Sequence, residues 1–512
     1  MTHDDFGEGR LRHPKMIPLC AAGLVLVAHL AGNPHYGFFR DELYFIMCGS
    51  RPAWGYVDQP PVAPLLAAAS QLFGRSLFML RAIPAFFAAG SVYVTCLICA
   101  ELGGGAFAQV LSAVVAFFCP VLMSFGMKVS PDTPGLLLWP LTALSVLRAV
   151  KTGNPRWWLL AGAALGVSFQ AKYSVLFFAA ALFVGLIATA QRRSLLSPWC
   201  LGGVALAVAI ALPNVLWQLH FDLPMLELLK NGQQGKNVRL SPLDFMFAEL
   251  LITNPVLALV WLSGLVWLLR DANARFLGLS FLVLMAEMIA LHAKHYYPAD
   301  VYPILIAAGG VAIERWSGRL PALRPVLGAV AVASGLVLVP YVLPVLPIEA
   351  FIPYQRAVAP ILHLEAVRTE NGRVGQLPQD WADMQGWEEL TATVARVCAT
   401  LSPQERAQAV IVARNYGEAA ALEFFGTDYE LPPVVSGHNQ YYLWGTRGTS
   451  GEVLIDVNGD CGKSLGLYRS STVGATFNHP YVRPFESELP ILICRGINRP
   501  LSEIWPKVKF YY

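Results

Sequence analysis

Charge is what this sequence has least of. Only 14% of its 512 residues are Asp, Glu, Lys or Arg, where soluble proteins carry about 25%. That shortage excludes an ordinary water-soluble chain, and the 55% of hydrophobic residues points to a membrane protein. Net charge is also small, +3, which gives no footing for nucleic acid. Cysteine is sparse, nine in all, and it lacks metal-ligand spacing. Cys20, Cys48, Cys96, Cys99, Cys119 and Cys200 lie in or beside apolar stretches. Cys96 and Cys99 form a CxxC inside a hydrophobic span with no partner ligands, which argues against a metal.

What is present is a series of apolar runs. Residues 1–16 are polar, with Arg10, Arg12 and Lys15, and the first run follows at 17–32. Cleavage of a signal peptide after Ala31 would put His29 where a small residue is wanted, so this run is expected to stay as a first helix with a cytoplasmic start. Further runs fall near 76–100, 105–125, 133–150, 156–171, 173–190, 199–218, 244–269, 275–293, 297–314 and 322–347. The expectation is a multi-spanning α-helical membrane domain over 17–347 with about eleven spans. From 348 to 512 charge returns and long apolar runs stop, as in a separate C-terminal α/β or α+β domain outside the cytoplasm. There Ala409–Ala413, Tyr441–Trp444, Glu452–Val457 and Pro490–Cys494 read as strands and Tyr416–Phe425 as a helix. Cys461 and Cys494 are candidates for a disulfide, which an oxidising compartment allows. Cys398 is then left over.

With the N-terminus inside, the cytoplasmic connections collect Arg148, Lys151, Arg156, Arg192, Arg193, Arg270, Arg275, Arg315, Arg319 and Arg324, the expected positive-inside bias. The opposite face collects the unusual polar residues. Its first loop, 33–75, holds Arg40-Asp41-Glu42 and Tyr56-Val57-Asp58-Gln59-Pro60-Pro61. Leu43–Cys48 and Val62–Phe73 read as short interfacial helices. An adjacent acidic pair at a membrane face is costly to bury, so Asp41 and Glu42 are candidate catalytic carboxylates, although Asp also caps helices.

The same face offers Asp132, at an ordinary helix start before Pro134. It offers Lys172, which breaks an apolar stretch where a charge at depth costs about 3 kcal/mol unless it snorkels. It also offers His292, Lys294, His295, Tyr296 and Tyr297 between two spans. Those donors suit a phosphate headgroup, while the tyrosines could serve only as interfacial anchors. Residues 219–243, with Glu227, Lys230, Lys236 and Arg239, are polar and long enough to form a cover.

Taken in order, Arg40-Asp41-Glu42, Tyr56–Pro61, Ser130-Pro131-Asp132-Thr133, Ala171-Lys172-Tyr173 and Lys294-His295-Tyr296-Tyr297 resemble the bacterial protein O-mannosyltransferase and lipid A aminoarabinose transferase-like family. The resemblance covers about 17–345. Arg414-Asn415-Tyr416-Gly417-Glu418-Ala419 and Ser436-Gly437-His438-Asn439 look like the outer domain of a bacterial subgroup. This resemblance implies a GT-C fold in the bacterial cytoplasmic membrane, a polyprenyl-phosphate sugar donor, an acceptor that is lipid, glycan or protein, and inversion at the anomeric carbon. It puts Asp41 on the catalytic Asp with Glu42 beside it. Asp132 falls on the second acidic position and His295 and Tyr296 near the lipid phosphate. Asp132 and Asp58 are candidates for the acceptor, or with Asp41 for a divalent cation. Aminoarabinose transferases carry a phosphate-binding Lys where this sequence has Gln59. Phosphate binding would then fall to Arg40, Lys172, Lys294 and His295.

Two other readings compete. A transporter or flippase for lipid-linked sugars would want polar residues at mid-membrane, but here they gather at one end. A non-catalytic binding protein would use the carboxylates only as caps.

Overall fold

The computed structural model describes residues 16–235, 240–362, 373–463 and 466–512. The basic residues before Met16, and Lys236 and Arg239 of the expected cover, lie outside them.

Among the described residues, sixteen α-helices precede the C-terminal part. They are α1 (Met16–Gly32), α2 (Arg40–Gly49), α3 (Val62–Gln71), α4 (Leu77–Glu101), α5 (Ala106–Phe118) and α6 (Pro120–Phe125). Then come α7 (Gly135–Thr152), α8 (Arg156–Phe169), α9 (Val175–Ile187), α10 (Pro198–His220) and α11 (Pro224–Gly235). The last are α12 (Pro242–Ile252), α13 (Pro255–Arg270), α14 (Arg275–Ala290), α15 (Tyr302–Trp316) and α16 (Leu323–Val342). Every apolar run is therefore helical, but they are not eleven long helices. Among the described residues, α4, α10 and α16 are long and apolar enough to cross a membrane, and up to five spans result if each bent pair counts as one. Proline explains two of the breaks. Pro120 opens α6 and splits the 105–125 run. At Asn254, held at φ 67°, the chain turns 109° between α12 and α13, because Pro255 cannot extend the preceding helix. The expected cover at 219–243 contains a helix, α11. Its Asn231 donates to the Tyr511 carbonyl at 2.8 Å, and its Glu227 pairs with Lys509 at 2.6 Å.

Beyond α17 (Ile348–Leu362) the chain builds a mixed sheet. Its strands are β1 (Ala409–Ala413), β2 (Val434–Val435), β3 (Val453–Val457), β4 (Tyr468–Phe477) and β5 (Leu489–Ile497). The order is β2-β1-β3-β5-β4, parallel from β2 to β3 and antiparallel from β3 to β4. Buried Val, Ile and Leu make β1 and β3 hydrophobic on both faces, as central parallel strands must be. The helices here are α18 (Gln379–Ala382), α19 (Trp387–Ala399), α20 (Pro403–Gln408), α21 (Tyr416–Gly426), α22 (Gln440–Trp444) and α23 (Leu501–Ile504). The expected strand at Tyr441–Trp444 is thus a helix. Its aromatic residues favour a strand locally, but tertiary contacts decide otherwise: Gln440 is held by Val57 and Tyr44 of the first loop. Cys461 and Cys494 are joined in a disulfide, and Cys398 is a buried free thiol.

The two parts share a core. Leu43, Tyr44, Phe45 and Tyr56 of the 33–75 segment pack in one buried cluster with Leu390, Ala420, Leu422 and Ile455 of the C-terminal part. Arg51–Glu423 at 2.9 Å and Arg75–Asp428 add ion pairs across the same seam. Helices α2 and α3 are therefore clamped between the bundle and the sheet domain.

Candidate active site

The first turn of α2 sets the site. Phe39 is extended and caps the helix, leaving Arg40, Asp41 and Glu42 as its first residues. Neighbours on a helix point about 100° apart, so the two acids diverge. Glu42 turns inward and is fully buried with Arg81 of α4 at 3.0 Å. It also accepts from the Phe39 N–H at 3.0 Å and the Val129 N–H at 3.1 Å. Arg81 donates to Glu42 and to the carbonyls of Asn33, His35 and Gly37. This pair ties four segments together at one point. Asp41 turns the other way, into a cavity of about 630 Å³, with its side chain about one-third exposed (34%).

Of the residues singled out in the sequence, Arg40, Asp41, Asp58, Asp132, Lys172, Lys294, His295, Tyr296 and Tyr297 all line that cavity; Glu42 and His292 do not. They come from four separate places: the 40–58 segment, the turn before α7, the turn after α8 and the turn after α14. Asp41 Oδ1 accepts from the Tyr416 hydroxyl at 2.8 Å. Asp58 Oδ1 accepts from the Tyr44 hydroxyl at 2.8 Å, and its Oδ2 from the Asn439 amide at 3.4 Å. Burial pushes the Asp58 carboxyl up to about 6, against the pull of the Tyr44 hydrogen bond. Lys172 pairs with Asp132 and lies 4.2 Å from the Tyr297 ring centre and 5.2 Å from that of Tyr296. Lys294 lies 5.9 Å from the Tyr296 ring centre, so cationic and aromatic groups share one wall. Gln59 lines the cavity with only 2% exposure, and neither amide atom has a hydrogen-bond partner in the chain. A buried amide without partners costs free energy that a polar ligand would recover.

Four participants were not anticipated. Arg81 is a lone charge in an otherwise apolar run, and that rarity was its signal. Asp300 follows the tyrosine pair and is buried against the start of α7, where a Cβ on Gly135 would meet its Oδ2 at 1.9 Å. Asp380 reaches the cavity from α18 and pairs with Lys128, whose ammonium lies 3.9 Å from the Phe39 ring centre. Asp383 accepts the Arg40 N–H at its carbonyl, 3.1 Å, and pairs with Arg483 at 2.7 Å. Nothing in their local sequence marks Asp380 or Asp383.

Among the described residues, the cavity carboxylates do not come together as a group of three ligands. Asp132 is neutralised by Lys172, and Asp41 is engaged by Tyr416. Among the described residues, the one trio within ligand distance is Asp456, Cys461 and Cys494, whose two sulfurs are bonded to each other.

A family model for dolichyl-phosphate-mannose-protein mannosyltransferase matches residues 58–217. No match is found among curated proteins. Among solved structures, ArnT from Cupriavidus metallidurans in the apo state superposes with a TM-score of 0.60 at 14% identity, covering 93% of this chain and 97% of that one. The same protein bound to undecaprenyl phosphate gives 0.57 at 15% identity, again over 93% and 97%. The chain has the ArnT fold over nearly its whole length, and in fold and matched segment it resembles the ArnT and protein mannosyltransferase group of GT-C glycosyltransferases.

Proposed function

We propose that the protein is an integral membrane glycosyltransferase that moves a sugar from a polyprenyl phosphate to an acceptor at the outer face of a bacterial cytoplasmic membrane. One observation carries the reading. A single cavity gathers the carboxylates Asp41 and Asp58 from the first loop with Lys172, Lys294 and His295 from other connections. The Cupriavidus protein of the same fold is seen with undecaprenyl phosphate, which supports a lipid phosphate as the donor's leaving group.

The reaction follows from that pairing. Asp41 accepts the proton of the acceptor's hydroxyl or amine as its oxygen or nitrogen bonds to the anomeric carbon. The bond from that carbon to the phosphate oxygen breaks, and its electron pair leaves with the phosphate. Attack opposite the phosphate inverts the centre. Lys294, His295 and Arg40 stabilise the charge that develops on the leaving group. Lys172, held by Asp132, contributes from the same wall. Gln59 offers a neutral donor and acceptor to the sugar or phosphate. Glu42 takes a positioning role, because its carboxylate is enclosed. About eleven membrane crossings, several of them by short or broken helices, a cytoplasmic N-terminus and an extracytoplasmic C-terminal domain belong to this reading, and the bias of Arg and Lys to one side supports them. No observation favours transport.

The test is direct. Purified protein in nanodiscs is given a panel of polyprenyl-phosphate sugars with envelope extract as acceptor, and release of polyprenyl phosphate is followed. Release from one donor supports the reading; tight donor binding without turnover, in the presence of acceptor, overturns it.

Two further outcomes belong to this reading. Lys294→Gln is expected to weaken undecaprenyl phosphate binding about tenfold or more, since a hydrogen bond to a charged group is worth about 1.5–3 kcal/mol. Isothermal titration at two salt concentrations checks this, and equal affinity would remove Lys294 from the phosphate site. Asp58, raised to about 6 by burial, is protonated below that pH. Turnover that needs its anion falls about tenfold per unit below pH 6. In Asp58→Asn that limb disappears from the profile.

A further inference from the structure

Two motifs of the C-terminal part lie far in sequence from the membrane-side residues, yet Tyr416 of one lines the cavity and Asn439 of the other bonds its carboxylate Asp58. Tyr416 opens α21, within Arg414–Ala419. Its hydroxyl donates to Asp41 Oδ1 at 2.8 Å. The ring is fixed on several sides. It lies 4.6 Å from the Tyr44 ring and 4.9 Å from the His438 ring, and the Arg40 guanidinium sits 5.3 Å from its centre. Its own N–H donates to His438 Nδ1 at 3.3 Å. The next residue must be small, since a Cβ on Gly417 would stand 2.2 Å from Arg40 Cγ. The second motif, Ser436–Asn439, supplies His438 to this stack and Asn439 to Asp58. Asn439 is held at φ 47° and ψ −128°, a sparsely populated conformation that persists only where the surroundings enforce it. Each cavity carboxylate of the first loop thus receives a hydrogen bond from the sheet domain.

We propose that Tyr416 is a positioning residue for Asp41, so that the C-terminal domain is part of the catalytic centre and not only a cover or an acceptor platform. This rests on the proposed transferase reading. The hydroxyl engages Oδ1 of Asp41 and fixes its rotamer, and with it the direction from which the carboxylate meets the acceptor's proton. The surrounding rings hold the hydroxyl in place. A carboxylate released from this contact stays in the cavity but loses its aim, and a misplacement of about 1 Å costs about 10²-fold in rate.

The experiment compares wild type with Tyr416→Phe in nanodiscs, using the polyprenyl-phosphate sugar that wild type turns over. The phenyl ring keeps the stacks on Tyr44 and His438 and the contact with Arg40. The expected result is a kcat about 10- to 100-fold lower, a donor KM within twofold of wild type and an unchanged melting temperature. A merely structural role would lower the melting temperature and move KM with kcat, and that pattern overturns the proposal. So does an unchanged kcat. If wild type releases polyprenyl phosphate from no donor, the transferase reading falls and this assignment falls with it. Because that failure appears in wild type and the others only in the variant, the two are distinguishable.

Discussion

Asp41→Asn is expected to lower polyprenyl phosphate release by about 10³-fold, within the range of about 10² to 10⁴ that general-base removal costs, in a protein that still folds. The substitution is nearly isosteric. The Asn carbonyl still accepts from the Tyr416 hydroxyl, now at 2.8 Å to Asp41 Oδ1, so the seam between the two domains survives. What disappears is a group able to take a proton. The contact of Asp41 with Arg40 Nε is long, 3.4 Å, and a third of its side chain is open to the cavity, where its neighbour Glu42 is fully enclosed. The melting temperature should therefore stay within a few degrees, and undecaprenyl phosphate should bind as in wild type. Asp41→Glu should retain a fraction of turnover, because the base is kept but displaced by one methylene. Single-turnover release of radiolabelled polyprenyl phosphate would measure both. Near-normal transfer by Asp41→Asn would remove Asp41 from the chemistry and leave Asp58 as the base to test.

The second large effect belongs to the neighbouring acid and is structural. Glu42→Gln and Arg81→Met should each cost about 3–5 kcal/mol, the penalty for leaving one partner of a buried ion pair uncompensated. Both side chains have no solvent exposure. Replacing both by apolar residues often restores stability in such pairs. Here it should not. Arg81 also satisfies the carbonyls of Asn33, His35 and Gly37, and Glu42 the N–H groups of Phe39 and Val129. Those backbone groups would stay buried without partners. Detergent-solubilised yield and melting temperature of the single and double variants decide the matter. If the double variant returns to wild-type stability, the pair is an isolated ion pair and not the anchor of the first loop. Donor turnover per folded molecule is a second readout, because loss of this anchor frees the turn that aims Asp41.

These two predictions separate residues that stand side by side in the chain. Asp41-Glu42 is legible as one unusual acidic pair at a membrane face, and both were candidates for the chemistry. Which one reaches the cavity depends on the rotation of α2 against α4, and local sequence carries no record of that. Arg81, the partner that decides it, lies about 40 residues on, inside an apolar helix. The ordered motifs were informative for a different reason. Polar side chains are so costly in apolar surroundings that each survivor marks a place, and most of the marked residues line one cavity.

Composition and periodicity determined the helical bundle, the change of character near residue 348, most of the sheet strands and the cysteine pair available for a disulfide, because burial of apolar side chains and avoidance of unpaired charge act residue by residue. Only the tertiary structure decided the rest. It turned the aromatic stretch Tyr441–Trp444 into a helix and gave Lys172 to Asp132. It also set Tyr416 on Asp41 across 375 positions of sequence. The physical reason is common to all three. A side chain's chemistry is local, but its direction and its partners come from how helices and sheet pack, and packing joins residues with no neighbourhood in the chain.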